Sequence, residues 1–178
     1  MKVIHIFGAS GAGTSTLGAE ISKKYGYKHM DTDDYFWLPT NPPFTTKREP
    51  NERIVLMERD IKANGKVVIT GSLSGWGDVL IPLFDLVIRV ITPTEIRIKR
   101  LEEREYQRFG NRILVEGDMH EDHLSFIEWA KEYDSGDKNM RSKAMHDNWS
   151  KLLPCEKVVV DGIKPLEENI EVLSQFLK

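Results

Sequence analysis

The segment Gly8-Ala9-Ser10-Gly11-Ala12-Gly13-Thr14-Ser15-Thr16 constrains this chain more than any other. Before it, Lys2–Phe7 places Val3, Ile4 and Ile6 in a short apolar run that reads as a strand. After it, residues 15–25 carry Leu17 and Ile21 four apart, end in Lys23-Lys24 and stop at Gly26, the signature of a helix. Glycines at 8, 11 and 13 permit backbone conformations closed to other residues. Successive N–H groups can then turn inward to form an anion nest, aided by the dipole of the helix that follows. The pattern is Gly, four residues, Gly, Lys, then Ser or Thr, with Thr14 standing at the lysine position. All nine residues are expected to line a nucleotide phosphate chain, and Ser15 to bind Mg²⁺ through its hydroxyl. Without the lysine, other cations must compensate or catalysis is weak. The competing reading is a strand-to-helix turn with no ligand.

The rest of the chain alternates strands and helices. Strands are expected at 27–30, 66–70, 85–91 and 157–160, and helices at 51–64, 93–108, 121–133, 140–153 and 165–177, with a short one near Ser74. Most strands are apolar throughout, which implies a parallel sheet covered on both faces. Residues 35–50 hold Pro39, Pro42, Pro43 and Pro50 without helical or strand period, but also Tyr35, Phe36, Trp37 and Phe44. They form the longest irregular segment, and its aromatics could wall an acceptor pocket or pack as core. Ligands in such sheets lie beyond the carboxyl ends of the strands, so the residues there are the ones to weigh.

After the second strand come Asp31, Asp33 and Asp34. After the third comes Thr70-Gly71-Ser72, with no acidic residue. The helix after the fourth carries Arg100, Arg104 and Arg108 on one face. Arg112 follows in a loop, and Arg141 further on. Asp161-Gly162-Ile163 follows the fifth strand. Each has a plainer reading: an aspartate caps a helix, arginines pair with Glu102, Glu103 and Glu105, and Gly162 makes a turn.

These residues resemble the phosphate-loop kinases of the adenylate kinase and shikimate kinase type. Archaeal-type cytidylate kinases carry Gly-Thr-Thr where most relatives carry Gly-Lys. The resemblance implies a three-layer α/β/α fold with five parallel strands in the order 2-3-1-4-5. It implies ATP and Mg²⁺ as cofactors. Asp33 becomes the candidate base or hydroxyl binder, and Asp31, with Ser15, the metal group, with Asp34 as its rival. Many relatives hold magnesium's water shell with an aspartate where Thr70 stands. Arg100 and Arg104 match an Arg, three residues, Arg spacing that packs on adenine and contacts phosphate. Arg108, Arg112 and Arg141 are lid candidates, and Gly162 and Ile163 border the adenine. Arg48 and Arg53 could reach an acceptor phosphate.

A chain of 178 residues fits one domain, here with a lid-like segment at about 105–120 and an acceptor segment at about 34–55. Cys155 is the only cysteine, so no internal disulfide is possible. A net charge of −3 gives no global basic excess for nucleic acid. No apolar run approaches the roughly 20 residues of a membrane span. The expectation is a cytoplasmic monomer or homodimer that transfers a γ-phosphate to a small hydroxyl or phosphate acceptor, a nucleoside, nucleotide or related metabolite. The rival expectations are a nucleotide-binding regulator with little transfer activity, or an NTPase.

Overall fold

The computed structural model describes residues 1–177. In chain order the elements are β1 (Lys2–Gly8), α1 (Thr14–Tyr25), β2 (Lys28–Asp31), α2 (Thr32–Phe36), α3 (Pro50–Asn64), β3 (Lys66–Thr70), β4 (Leu86–Ile91), α4 (Thr94–Phe109), α5 (His120–Lys131), α6 (Lys143–Ser150), β5 (Glu156–Asp161) and α7 (Leu166–Leu177). All five strands are parallel, in the order β2-β3-β1-β4-β5. This is the predicted order, and helices cover both faces. The apolar runs explain it: a strand buried on both faces has no polar side to turn to water. Ile4 and Ile6 face a core built with Leu17 and Ile21 of α1 and Leu173 of α7. Val3 and Phe7 point the other way, onto Met57 and Ile61 of α3 and Trp149 of α6. Each such side chain contributes about 1.5–3 kcal/mol by burial. β5 is one of the two edge strands, and its burial is uneven, with Val160 covered between exposed Val159 and Asp161. No helix among the described residues is long and apolar enough to cross a membrane.

Several boundaries differ from the sequence expectation, each for a local reason. The irregular stretch 35–50 begins inside a one-and-a-half-turn helix, α2, because the Asp31 carboxylate caps it. Its remainder folds back on itself: Leu38 N–H donates to Thr46 O at 2.9 Å and Arg48 N–H to Phe36 O at 2.8 Å. The prolines between cannot donate, so the pairing stays at a few rungs. The short helix expected near Ser74 is a 3₁₀ turn at Asp78–Leu83. Ser142 caps α6 by accepting Met145 N–H, which sets its start at Lys143 rather than 140. A small third cluster of Leu101, Ile127 and Ala130 fastens α5 onto α4.

Candidate active site

The nest after β1 is shaped by what lies behind it. Gly11 has φ 79° and Gly13 φ 104°, both in the left-handed region. At Gly11 a Cβ would come within 2.6 Å of Arg97 O, so α4 presses directly on the loop. The loop's carbonyls are drawn to that same side. Thr92 Oγ1 donates to Ala12 O at 2.9 Å, Arg97 Nη1 to Ser10 O at 3.3 Å and Arg100 Nη1 to Ala12 O at 3.4 Å. With its carbonyls held back, the loop is left to present N–H groups on the other side. α1 follows Gly13, its N-cap residue, with no side-chain cap and no acidic residue in its first turn, so its first N–H groups are left for a ligand. These features fit a polyphosphate.

Arg97 was not singled out in the sequence. It is fully buried, bonded to Thr92 O, Ser10 O, Ala130 O and Thr94 Oγ1, and its guanidinium lies 5.1 Å from the Tyr133 ring centroid. It braces the loop against α4 and α5. Only its place between Ile96 and Ile98 on an otherwise charged helix could have hinted at this.

Asp31 does two things at once. Its Oδ1 accepts Asp33 N–H at 3.0 Å, capping α2, and its Oδ2 accepts the Ser15 hydroxyl at 2.9 Å. The cap and the metal-group readings of this aspartate are therefore compatible. Buried Thr70 also reaches Asp31 Oδ2, at 3.5 Å, and sits 2.8 Å from His29 Nε2. Among the described residues no group of three or more His, Cys, Asp or Glu could hold a metal. Ser15 and Asp31 thus fit Mg²⁺, which takes one or two protein oxygens and completes its shell with phosphate and water.

Asp33 is exposed to solvent on one side, with α2 and its neighbours packed around the rest. Burial there raises its pKa from the ordinary carboxylate value, and the Asp31 charge adds to the rise, while Arg141 and Arg104 act against it. The two arginines come from opposite ends of the helical subdomain, on α4 and just before α6. Arg104 Nη2 donates to Glu105 at 3.3 Å, and its buried Nε has no partner. Asp34 also has a raised pKa, chiefly by burial, with Asp31 adding to it and His29 opposing.

The other arginines are occupied elsewhere. Arg100 Nη2 donates to Gly162 O at 3.0 Å, so this residue ties the phosphate loop to the turn after β5. Gly162 itself sits where a Cβ would meet Ala12 O at 2.6 Å, and Ile163 is half exposed beside it. Arg112 is held bidentately by Asp118 of its own loop at 2.9 and 2.7 Å. Arg108 is exposed. Arg53 is buried, stacked 3.9 Å over the Phe36 ring with its Nε on Arg48 O. Arg48 pairs with Glu52. Phe36, Trp37, Phe44 and Trp76 form an edge-to-face chain beside them.

Known proteins share the family and the fold. The AAA domain family matches residues 4–112. YqaC of Bacillus subtilis (strain 168), an uncharacterized protein, is 43% identical over 99% of this chain and 97% of its own length. Cytidylate kinase of Pyrococcus horikoshii is 31% identical over 58% of this chain and 57% of its own. In fold, shikimate kinase from Bacteroides thetaiotaomicron matches with a TM-score of 0.60 at 15% identity, covering 99% of this chain and 98% of that one. Shikimate kinase from Aquifex aeolicus matches with 0.53 at 17% identity, covering 98% and 95%. A phosphate loop after β1, an all-parallel 2-3-1-4-5 sheet and these matches together show that the chain belongs to the AAA domain family, within the superfamily of P-loop small-molecule kinases.

Proposed function

We propose that this protein is an ATP- and Mg²⁺-dependent kinase that moves the γ-phosphate to a hydroxyl or phosphate of a small acceptor, a nucleoside, nucleotide or related metabolite. The observation that carries this reading is the Ser15–Asp31 hydrogen bond at the mouth of the glycine nest, with Asp33 two residues on within the electrostatic reach of Arg104 and Arg141. A plain strand-to-helix turn needs no carboxylate bonded to the serine of its first helical turn. The partial match to a cytidylate kinase supports a nucleotide-like acceptor.

In this reading the nest N–H groups hold the phosphate chain, and Arg100 and the turn at Gly162–Ile163 border the base. Asp31 accepts a hydrogen bond from the Ser15 hydroxyl, which turns a Ser15 lone pair toward the metal position. Ser15 and Asp31 would hold Mg²⁺, which would supply positive charge to offset that of the phosphate chain. Asp33 accepts a hydrogen bond from the acceptor hydroxyl and takes its proton as the oxygen attacks phosphorus. A raised pKa makes Asp33 a stronger base than an ordinary carboxylate. Arg104 steadies charge on the phosphate in flight. The lid-like segment at about 105–120 limits water at the site, so transfer outruns hydrolysis.

The test is ADP formation from ATP with and without a panel of nucleosides, nucleoside monophosphates and hydroxy acids. Acceptor-stimulated turnover is expected, and Asp33→Asn should lower it by about 10²- to 10⁴-fold while ATP still binds. Tight ATP binding with no stimulation across the panel would favour the second reading, a nucleotide-binding regulator. Thr14 and Thr70, in place of a lysine and an aspartate, are what favour it.

A further inference from the structure

Arg97 has no exposed surface, while the other three arginines of α4 all keep some. A guanidinium carries five N–H donors in one plane and no acceptor. In Arg97 each of them is engaged. Nε donates to Thr92 O at 3.1 Å. Nη1 donates to Ser10 O and to Ala130 O, each at 3.3 Å. Nη2 donates to Thr94 Oγ1 at 2.6 Å and to Asp134 Oδ2 at 3.5 Å. No donor is left for a ligand, so whatever this residue does for the site it does through the groups it holds.

Stability alone gives little reason for a charge here. Burying a guanidinium is costly, its ion-pair partner Asp134 is more than half exposed, and an apolar side chain of similar volume often serves a core as well. The value of the fork lies in its geometry. The two Nη1 hydrogens point in fixed directions. One goes to the phosphate loop. The other goes to Ala130 in the last turn of α5, whose carbonyls lack partners within the helix.

Ser10 O belongs to the peptide that joins Ser10 to Gly11. That peptide is trans, so its C=O and N–H point opposite ways. Drawing Ser10 O toward α4 therefore turns Gly11 N–H toward the open side of the nest. The backbone of Arg97 constrains the same spot again, because Arg97 O lies 2.6 Å from where a Cβ on Gly11 would stand. Side chain and carbonyl of one residue thus fix one peptide from two directions. Thr94 Oγ1 also donates to Asp134, which closes the far end of the fork onto the segment after α5.

We propose that Arg97 is a positioning residue for triphosphate binding: it aims Gly11 N–H at the phosphates and ties that peptide to the C-terminal turn of α5. The link is reciprocal. Phosphates on the nest steady the end of α5, and whatever loosens the end of α5 weakens the nest. This role presupposes the phosphate-binding reading of the loop and names what holds the loop in that shape. A lysine is only a partial substitute, because its three donors radiate from a single nitrogen and cannot span both carbonyls and the α4 groups together.

The test reads binding and backbone signals rather than turnover, so it stands apart from the kinase reading. Arg97→Leu, Arg97→Lys and Tyr133→Phe are compared with the unaltered protein. Tyr133→Phe keeps the ring beside the guanidinium and removes the hydroxyl bonded to His146. Thermal melts confirm that each is folded. Calorimetry gives the affinity for Mg²⁺ with AMP-PNP, NMR the amide nitrogen shift of Gly11 without ligand, and hydrogen exchange the protection of residues 128–134. Arg97→Leu should weaken AMP-PNP about 10- to 100-fold, the cost of misaiming one donor to a charged group. It should also move the Gly11 nitrogen signal, which senses the hydrogen bond on Ser10 O. Arg97→Lys should recover part of both. Tyr133→Phe should leave both unchanged. AMP-PNP should slow exchange at 128–134 in the unaltered protein, and slow it less in Arg97→Leu. Unchanged affinity or an unmoved Gly11 signal in Arg97→Leu would overturn the proposal, as would an equal loss of affinity in Tyr133→Phe. Should Arg97→Leu fail to fold, Arg97→Lys is held to the same two readings. Exchange in the unaltered protein needs no variant, and no slowing at 128–134 would overturn the link to α5. If the unaltered protein binds no AMP-PNP, the reading of the loop falls and this role with it. If AMP-PNP binds but the Arg97 variants match the unaltered protein, only this role falls. If all behaves as expected but no acceptor stimulates turnover, only the kinase reading falls.

Discussion

The phosphate loop and the arginine-bearing helical region beside it serve one site by opposite means. The loop works through backbone. Its left-handed glycines and uncapped helix start present N–H groups, and its carbonyls are tied off from behind by Thr92, Arg97 and Arg100. The helical region works through side chains. It brings Arg104 and Arg141 to Asp33 from positions 37 residues apart, and keeps donors on both of them unengaged. A backbone site is cheap in charge and rigid, since nine consecutive residues and their supports define it. A side-chain site can respond to a ligand, because long side chains retain rotamer freedom until one arrives. The difference teaches that in this chain recognition of phosphate and control of its charge have been separated.

The comparison breaks most sharply at Gly11. Gly11→Ala must hold φ 79° while its Cβ meets Arg97 O at 2.6 Å, so the loop has to move. Loss of at least about 100-fold in affinity for both AMP-PNP and ADP is expected, with about 1–3 kcal/mol less stability, from calorimetry and denaturant melts. Retention of both affinities would show that the nest does not depend on its glycine geometry. Arg104→Ala tests the other half. It should lower kcat by about tenfold and leave ADP affinity within about threefold, since it removes one partly exposed cation and no part of the nest. A matching fall in ADP affinity would erase the distinction between the two regions.

The gentlest test concerns what fastens the two regions together. His146, fully buried between Tyr133 and Ser72, has its pKa lowered to about 3 by burial, with Arg141 and Arg89 adding to the fall. His5, buried against Gly71 O, is lowered to about 4, again by burial. Both lie below the unfolded value of about 6.5. The stability they lend is complete above pH 6.5 and is lost as pH falls toward those folded values, because the unfolded chain takes up protons that the folded one refuses. Each adds a slope of up to about 1.4 kcal/mol per pH unit over that window. Urea melts between pH 7 and 4 should show it, and His146→Asn should flatten the slope. An unchanged slope would remove His146 from the account.

Much of this could be read along the chain, and the exceptions have a common cause. The loop, Ser15 and the five strands are local: glycine spacing and apolar runs are set within a few residues, so they are visible without a fold. Asp31 and Asp33 could be found because they follow a strand directly. Their relation to each other could not. Whether Asp31 caps α2 or turns to Ser15 depends on the distance between β1 and β2, which β3 separates, and the answer is both. The arginines were the least legible. Arg97, Arg100 and Arg104 share one helix and one residue type, yet one is a buried brace, one bridges two loops and one faces the aspartates.

The sequence by itself determined that a strand, a glycine nest and a helix would make a phosphate site, and that the sheet would be parallel and covered on both faces. Backbone conformation and apolar periodicity are short-range properties, so adjacent residues suffice to specify them. Only the tertiary structure decided which charges meet at the mouth of the nest. A guanidinium reaches several ångströms in any of many rotamers, and its role is set by what chain segments far away leave unpaired around it.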